Sequence, residues 1–326
     1  MTHDPVAGGA KDPTGIGMCL RGRISVGLPA IVDYDGFRSV LDEYADYLAE
    51  LYFSPPVPVA AYHTRTKLFM RYLDMEAQED GWKQLAYARS RGVRLEFALN
   101  AGGDDGLAVK ACELVAERLG APDSVVCIDR LAHIARAAFP SARFVYSYNN
   151  GIRTARDILD IPVSYDELVL GGAYIRRRDL FALARSRGLA VRFLVNNGCS
   201  FNCHWCADSR ECAPTFARNL ELYGVEALYA LQSILPEELY SRYDPNDFDL
   251  LKISSRPSSL HDFRAMLRGY ATGSSAMDGA EAKPHDWALW ARLSHFGPYL
   301  ENLDYGRVMA LKDDIWAGRL FQGTVA

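Results

Sequence analysis

Long hydrophobic runs are missing from this chain: nowhere in its 326 residues does an apolar stretch approach the roughly 20 residues that cross a bilayer. A membrane-spanning helix is therefore not expected. Also missing is a basic segment leading into an apolar one at the start, where residues 1–17 are rich in Gly, Pro and Asp instead. We expect a disordered tail over residues 1–20 rather than a secretory signal, and a cytoplasmic protein. An excess of positive charge is lacking too. The formal net charge is −5, without the basic footprint of a protein that lives on duplex DNA, although a short RNA loop on a local basic patch stays open. Finally, there is no H-E-x-x-H helix, no G-x-S-x-G elbow and no Gly-rich phosphate loop after an early strand. Gly102-Gly103 is the nearest approach to the last, and it does not fit.

What is present reads as an ordinary globular chain, 49% apolar and 24% charged, long enough to bury a large core. Short β-prone runs alternate with amphipathic helical ones. Strands are expected at 22–31, 57–62, 93–99, 124–128, 143–148, 167–170, 191–195 and 249–253. Helices are expected at 34–53, 82–91, 107–119, 131–139, 152–159, 178–187 and 260–270. Alternation at this spacing implies parallel strands joined by crossover helices, and eight strands close a TIM-like (β/α)8 parallel barrel. We assign residues 21–273 to that barrel. Residues 274–326 become a linker and a C-terminal helical extension, whose aromatic residues suit packing on the barrel or docking a protein partner.

One stretch carries chemistry. Four of the seven cysteines, Cys199, Cys203, Cys206 and Cys212, fall within fourteen residues, just after a predicted strand. Without an export signal thiols stay reduced, and such density suits a soft metal centre: an iron–sulfur cluster, of the 4Fe-4S kind, or zinc. Zinc sites usually show two separated ligand pairs, and here there is a single nested group. The C-terminal ends of barrel strands are where barrel chemistry sits, so the cluster would cap the mouth. The spacing Cys199-x3-Cys203-x2-Cys206, with Trp205 before the last cysteine, also matches the radical-SAM signature. That alternative brings in S-adenosylmethionine, but the motif would come after seven candidate strands rather than after the first.

Several stretches together resemble the family named peptidase U-32, especially its short barrel members. They are Leu95-Glu-Phe-Ala-Leu-Asn100, residues 131–148, Arg177-Arg178-Asp179-Leu180, Leu194-Val-Asn-Asn-Gly-Cys199 and Asp249-Leu-Leu-Lys252-Ile-Ser-Ser-Arg256. The resemblance implies a barrel with a cysteine-bound iron–sulfur cluster and an oxidoreductase activity such as oxygen-independent hydroxylation. Substrates in that family include RNA and quinone precursors, and other members are tied to peptide maturation. The cysteines here are more compact than in the better-known members, and the proteolysis in the family's name is not expected.

Around the cysteines, Asn196 and Asn197 follow the predicted strand and suit a polar substrate. Lys252 and Arg256 place two cations near the mouth, where an anionic group would be oriented. Asn100, Asp129 and Asn149 also follow strands, although Asn and Asp equally suit turns. His63 and Arg65 follow the weakest strand. His204 sits between cysteines and would tune a cluster, whereas Arg176-Arg177-Arg178 reads as a solvated face or an anion holder. Cys19, Cys112 and Cys127 are isolated, the latter two in core positions. The reading is an iron–sulfur barrel enzyme acting on a small polar or anionic molecule, a modified peptide or an RNA loop. The non-catalytic alternative is a metal-stapled partner subunit.

Overall fold

A computed structural model describes residues 19–29, 31, 33–54, 75–100, 105–152, 154–196, 209–254, 257, 259–276, 284–293 and 303–320. Eight strands alternate with helices along the chain. The first half runs β1 (Ile24–Gly27), α1 (Tyr34–Glu43), β2 (Leu48–Phe53), α2 (Met75–Ser90), β3 (Arg94–Leu99), α3 (Asp105–Leu119), β4 (Ser124–Cys127) and α4 (Ala132–Ala138). It continues through β5 (Arg143–Tyr146), α5 (Ala155–Leu159), β6 (Glu167–Gly171), α6 (Arg178–Ser186) and β7 (Ala190–Val195). Three helices then intervene, α7 (Ser209–Tyr223), α8 (Val225–Gln232) and α9 (Pro236–Arg242), before β8 (Leu250–Ile253) and α10 (Leu260–Thr272). Two more close the chain, α11 (Pro284–Leu293) and α12 (Tyr305–Trp316).

All neighbouring strands pair in parallel and β1 pairs with β8, so the sheet closes into the expected barrel. One strand differs from the sequence expectation. The helix predicted over residues 34–53 ends at Glu43, and its final stretch is β2. Leu48 and Leu51, three apart, imitate a helical stripe, but Glu50 between them points into the barrel among other charges. The strand expected at residues 57–62 lies outside the described residues.

A repeated device fixes register at the N-terminal ends of the strands. Asp123, Asp166 and Asp249 each stand before an even-numbered strand. Each accepts the backbone N–H of the second residue of the preceding strand, at Leu95 (2.7 Å), Phe144 (2.7 Å) and Val191 (2.8 Å). Each also donates its own N–H to the carbonyl of that same residue. A one-residue slip would move every core side chain to the wrong face, and these aspartates oppose it locally.

The main core lies between strands and helices. Phe193 on β7 shows its density: it packs against Phe181 of α6, Tyr243 after α9 and Phe248 before β8. The C-terminal extension is fastened to the barrel. Val308 and Ile315 of α12 bury against Leu228, Tyr229 and Leu231 of α8. At the end of α8, Lys312 donates to the carbonyl of Ala230 (3.1 Å), to that of Ser233 (2.5 Å) and to Glu238 (2.7 Å). Arg176 donates to Glu238, Leu231 O and Ala230 O from the other side. Two cations thus cap the negative end of α8. Arg176 is accordingly buried, and neither of the surface roles read from the triple-arginine run applies to it.

Candidate active site at the barrel mouth

Alternation along each strand sends every second side chain into the barrel. In the middle, those side chains form an ion network. Arg192 of β7 donates to Glu50 of β2 (2.6 Å), to Glu96 of β3 (2.9 Å) and to Glu167 of β6. Ser25 and Ser124 donate to Glu50 (2.9 and 3.1 Å). Lys252 of β8 pairs with Glu96 and stands 4.0 Å over the ring of Tyr52. Burial alone would raise the Glu50 carboxyl. The charges of Arg192 and then Lys252 overcome that and hold its pKa at about 2.

Above this network, toward the strand C-termini, lies an apolar layer of Ala98, Val126, Val145, Val169 and Leu194, with Tyr148 packed on it. A collar of polar groups follows at the strand ends. Ser147 holds the turn after β5 by accepting the N–H of Asn149 (3.2 Å). Gly171 ends β6 close against the Tyr148 ring, which a Cβ there would meet at a tight 3.0 Å. Gly172, at φ +60°, faces Gln232 Oε1 and the Tyr148 hydroxyl. Two amide oxygens in this collar are buried without a hydrogen-bond partner among the described residues: Asn100 Oδ1 after β3 and Gln232 Oε1 at the end of α8. Buried polar atoms are rarely left so, and water or a bound ligand is the usual remedy. Such acceptors match a ligand carrying N–H or O–H donors.

The structure separates the residues anticipated from sequence. Lys252 lies inside the barrel beneath the mouth, already paired with Glu96. Asn100 is in the collar. Asn196 ends β7 with a left-handed backbone (φ 57°), and its Nδ2 donates to the hydroxyl of Tyr270 on α10 at 2.7 Å. Its carbonyl accepts from Ser254, so it ties strand ends to the helical layer. Asp129 is exposed and accepts from the Tyr165 hydroxyl (2.9 Å), while Asn149 stands in a short turn. Cys212 is on α7. Cys112 and Cys127 are buried free thiols, and burial pushes each up to about 11. Asn197, Cys199, Cys203, His204, Cys206, Arg256, His63 and Arg65 lie outside the described residues. Gln232 was not anticipated, because nothing in the sequence near it marks a strand end.

No family model matches the chain, and no curated protein matches it. Among solved structures it is similar to UMP synthase from Leishmania donovani, at 10% identity and a TM-score of 0.39, over 85% of this chain and 54% of that one. The chain thus spans about half the length of that protein. It is also similar to a protein from Toxoplasma gondii described as an orotidine-monophosphate decarboxylase, at 8% identity and a TM-score of 0.40, over 83% and 92% of the two chains. A third likeness is to a zinc-bound amidohydrolase from Burkhoderia ambifaria, at 12% identity and a TM-score of 0.32, over 90% and 74%.

The expected membership of peptidase family U-32 does not stand. The chain matches no family model. Among the described residues, no three His, Cys, Asp or Glu side chains converge where a metal could sit. Among the described residues, no helix is long and apolar enough to cross a membrane.

Proposed function

We propose that the chain is an enzyme whose active site is the C-terminal mouth of the barrel, and that it acts on a small polar or anionic substrate. The observation that carries this is the collar over an apolar floor, with the unpartnered acceptors of Asn100 and Gln232 at strand and helix ends. Active sites of parallel barrels lie on this face. Residues 21–273 form the catalytic barrel in this reading, and residues 274–326 its helical extension.

The cofactor proposed is an iron–sulfur cluster held by Cys199, Cys203 and Cys206, with Cys212 as fourth ligand. Support comes from chain order: the cysteine run leaves the mouth end of β7 and leads into α7. The donor set, thiolates in one nested group, suits iron–sulfur better than magnesium or calcium. When bound, such a cluster supplies electron transfer, or Lewis acidity at an iron without a protein ligand. The protein's own residues would orient the substrate, Asn100 and Gln232 by accepting its donors. Anaerobic purification with iron, sulfide and zinc analysis tests the cofactor. About four iron and four sulfide per chain are expected, and loss of both in Cys199→Ala. Stoichiometric zinc without iron would refute the cluster.

A second reading is favoured by the spacing alone, with three cysteines and Trp205 in the radical-SAM pattern. It expects Cys212→Ala to keep the cluster and S-adenosylmethionine to alter its absorption spectrum. The two readings therefore part on a single variant.

A further inference from the structure

The opposite end of the barrel has its own unfilled chemistry. Arg94 begins β3 and Arg143 begins β5, and both take the inward positions nearest the strand N-termini. Arg94 lies in the field of Glu50, Arg143, Arg192 and Glu167, which places it within the interior ion network. Yet it makes no hydrogen bond or ion pair among the described residues, because both Glu50 oxygens are taken by Arg192, Ser25 and Ser124. Arg143 Nη1 lies 3.1 Å from Glu167 Oε1, but that oxygen receives no hydrogen bond. Arg94 therefore stands at the start of β3 with its donors unmatched, and Arg143, two strands away at the start of β5 and within its field, has an ion pair with Glu167 but no side-chain hydrogen bond among the described residues.

Charge points the same way. Among the described residues, the inward-facing charged side chains are four cations, Arg94, Arg143, Arg192 and Lys252, against three carboxylates, Glu50, Glu96 and Glu167. A guanidinium does not shed its proton at ordinary pH. An excess positive charge inside a barrel therefore has to be met by solvent or by an anion. Burial works most strongly against the charge on Arg94; Glu50 offsets part of it, while Arg143 and Arg192 add to the opposition, so an anion between Arg94 and Arg143 relieves their repulsion. Arg143 remains 41% exposed, which leaves a way in from the base. Planar guanidinium forks match the oxygens of carboxylates and phosphates in paired hydrogen bonds.

We infer that the N-terminal base of the barrel is a binding site for a small oxyanion, held between Arg94 and Arg143 and distinct from the mouth. Its bound charge completes the network that runs through Glu167, Arg192 and Glu96 to Lys252.

Inorganic phosphate and acetate, each titrated at constant ionic strength, test this on the intact protein. Saturable thermal stabilisation of about 3–6 °C at roughly hundredfold excess over the dissociation constant is expected, and its absence in Arg94→Gln. Because that variant removes a charge from the interior, labelling of the unmodified protein with phenylglyoxal provides a second readout. The anion should protect Arg94 and Arg143 while leaving the exposed Arg156 reactive. Protection by both anions assigns a general oxyanion site, and protection by phosphate alone a phosphate site. Equal labelling of Arg94 with and without either anion overturns the inference, as does an equal thermal shift in a folded Arg94→Gln.

Discussion

Arg192 is the residue on which the interior depends. It is fully buried and meets three glutamates from three different strands. Breaking a buried pair leaves uncompensated charge, which costs far more than a surface pair contributes. Arg192→Met is therefore expected to lower stability by about 3–5 kcal/mol, read as a fall in the urea midpoint. Arg156→Met, which removes an exposed pair with Asp160, should change it by less than about 0.5 kcal/mol. The sequence showed charges within its strands but not their pairing. Arg192 and Glu50 stand 142 residues apart, and only closure of the barrel brings them together. Lys252 reads from its place in the last strand as a cation near the mouth, whereas it lies in the interior paired with Glu96, a partner hidden for the same reason.

Among the elements, the aspartates before β4, β6 and β8 act as pegs between strand pairs. Asp166→Ala leaves the Phe144 N–H without its charged acceptor, and hydrogen bonds to charged groups contribute about 1.5–3 kcal/mol. The expected result is a loss of that order. Faster hydrogen exchange at Phe144 than at Val125 of β4 would place the damage in the β5–β6 pair.

Most of the barrel's alternation was readable because a strand buried on both faces leaves a short apolar run between turn residues, as at residues 124–128. β2 escaped because leucines three apart read equally well as helix. α7, α8 and α9 escaped because they belong to an enlarged β7–β8 connection rather than to the repeat. The collar was half legible: Asn100 follows a strand, whereas Gln232 reaches the mouth from a helix.

At the scale of the molecule, two carboxylates link stability to pH. Glu50 and Glu238 are buried, and burial alone would raise both. Arg192 then Lys252 at the first, and Lys312 then Arg176 at the second, hold each at about 2 instead of the ordinary 4.5. Both groups bind fewer protons folded than unfolded. Their stabilisation is therefore complete above pH 4.5 and disappears as pH falls toward 2, at about 3 kcal/mol for each. Urea titrations across that window should show stability falling with acid, with a shallower slope in Glu238→Gln. An unchanged slope in the variant would mean that the Arg176–Glu238–Lys312 group is not responsible.

The lock between α12 and α8 has a consequence for biosynthesis. A ribosome releases Glu238 long before Lys312, and β1 long before the β8 that must pair with it. Until α12 emerges, the carbonyls at the end of α8 lack one of their two caps, and Leu228, Tyr229 and Leu231 lack the cover of Val308 and Ile315. The domain can be secured only after residues 305–316 have emerged, so until then the nascent chain carries an apolar face, and until β8 emerges an open sheet edge, that the folded domain covers.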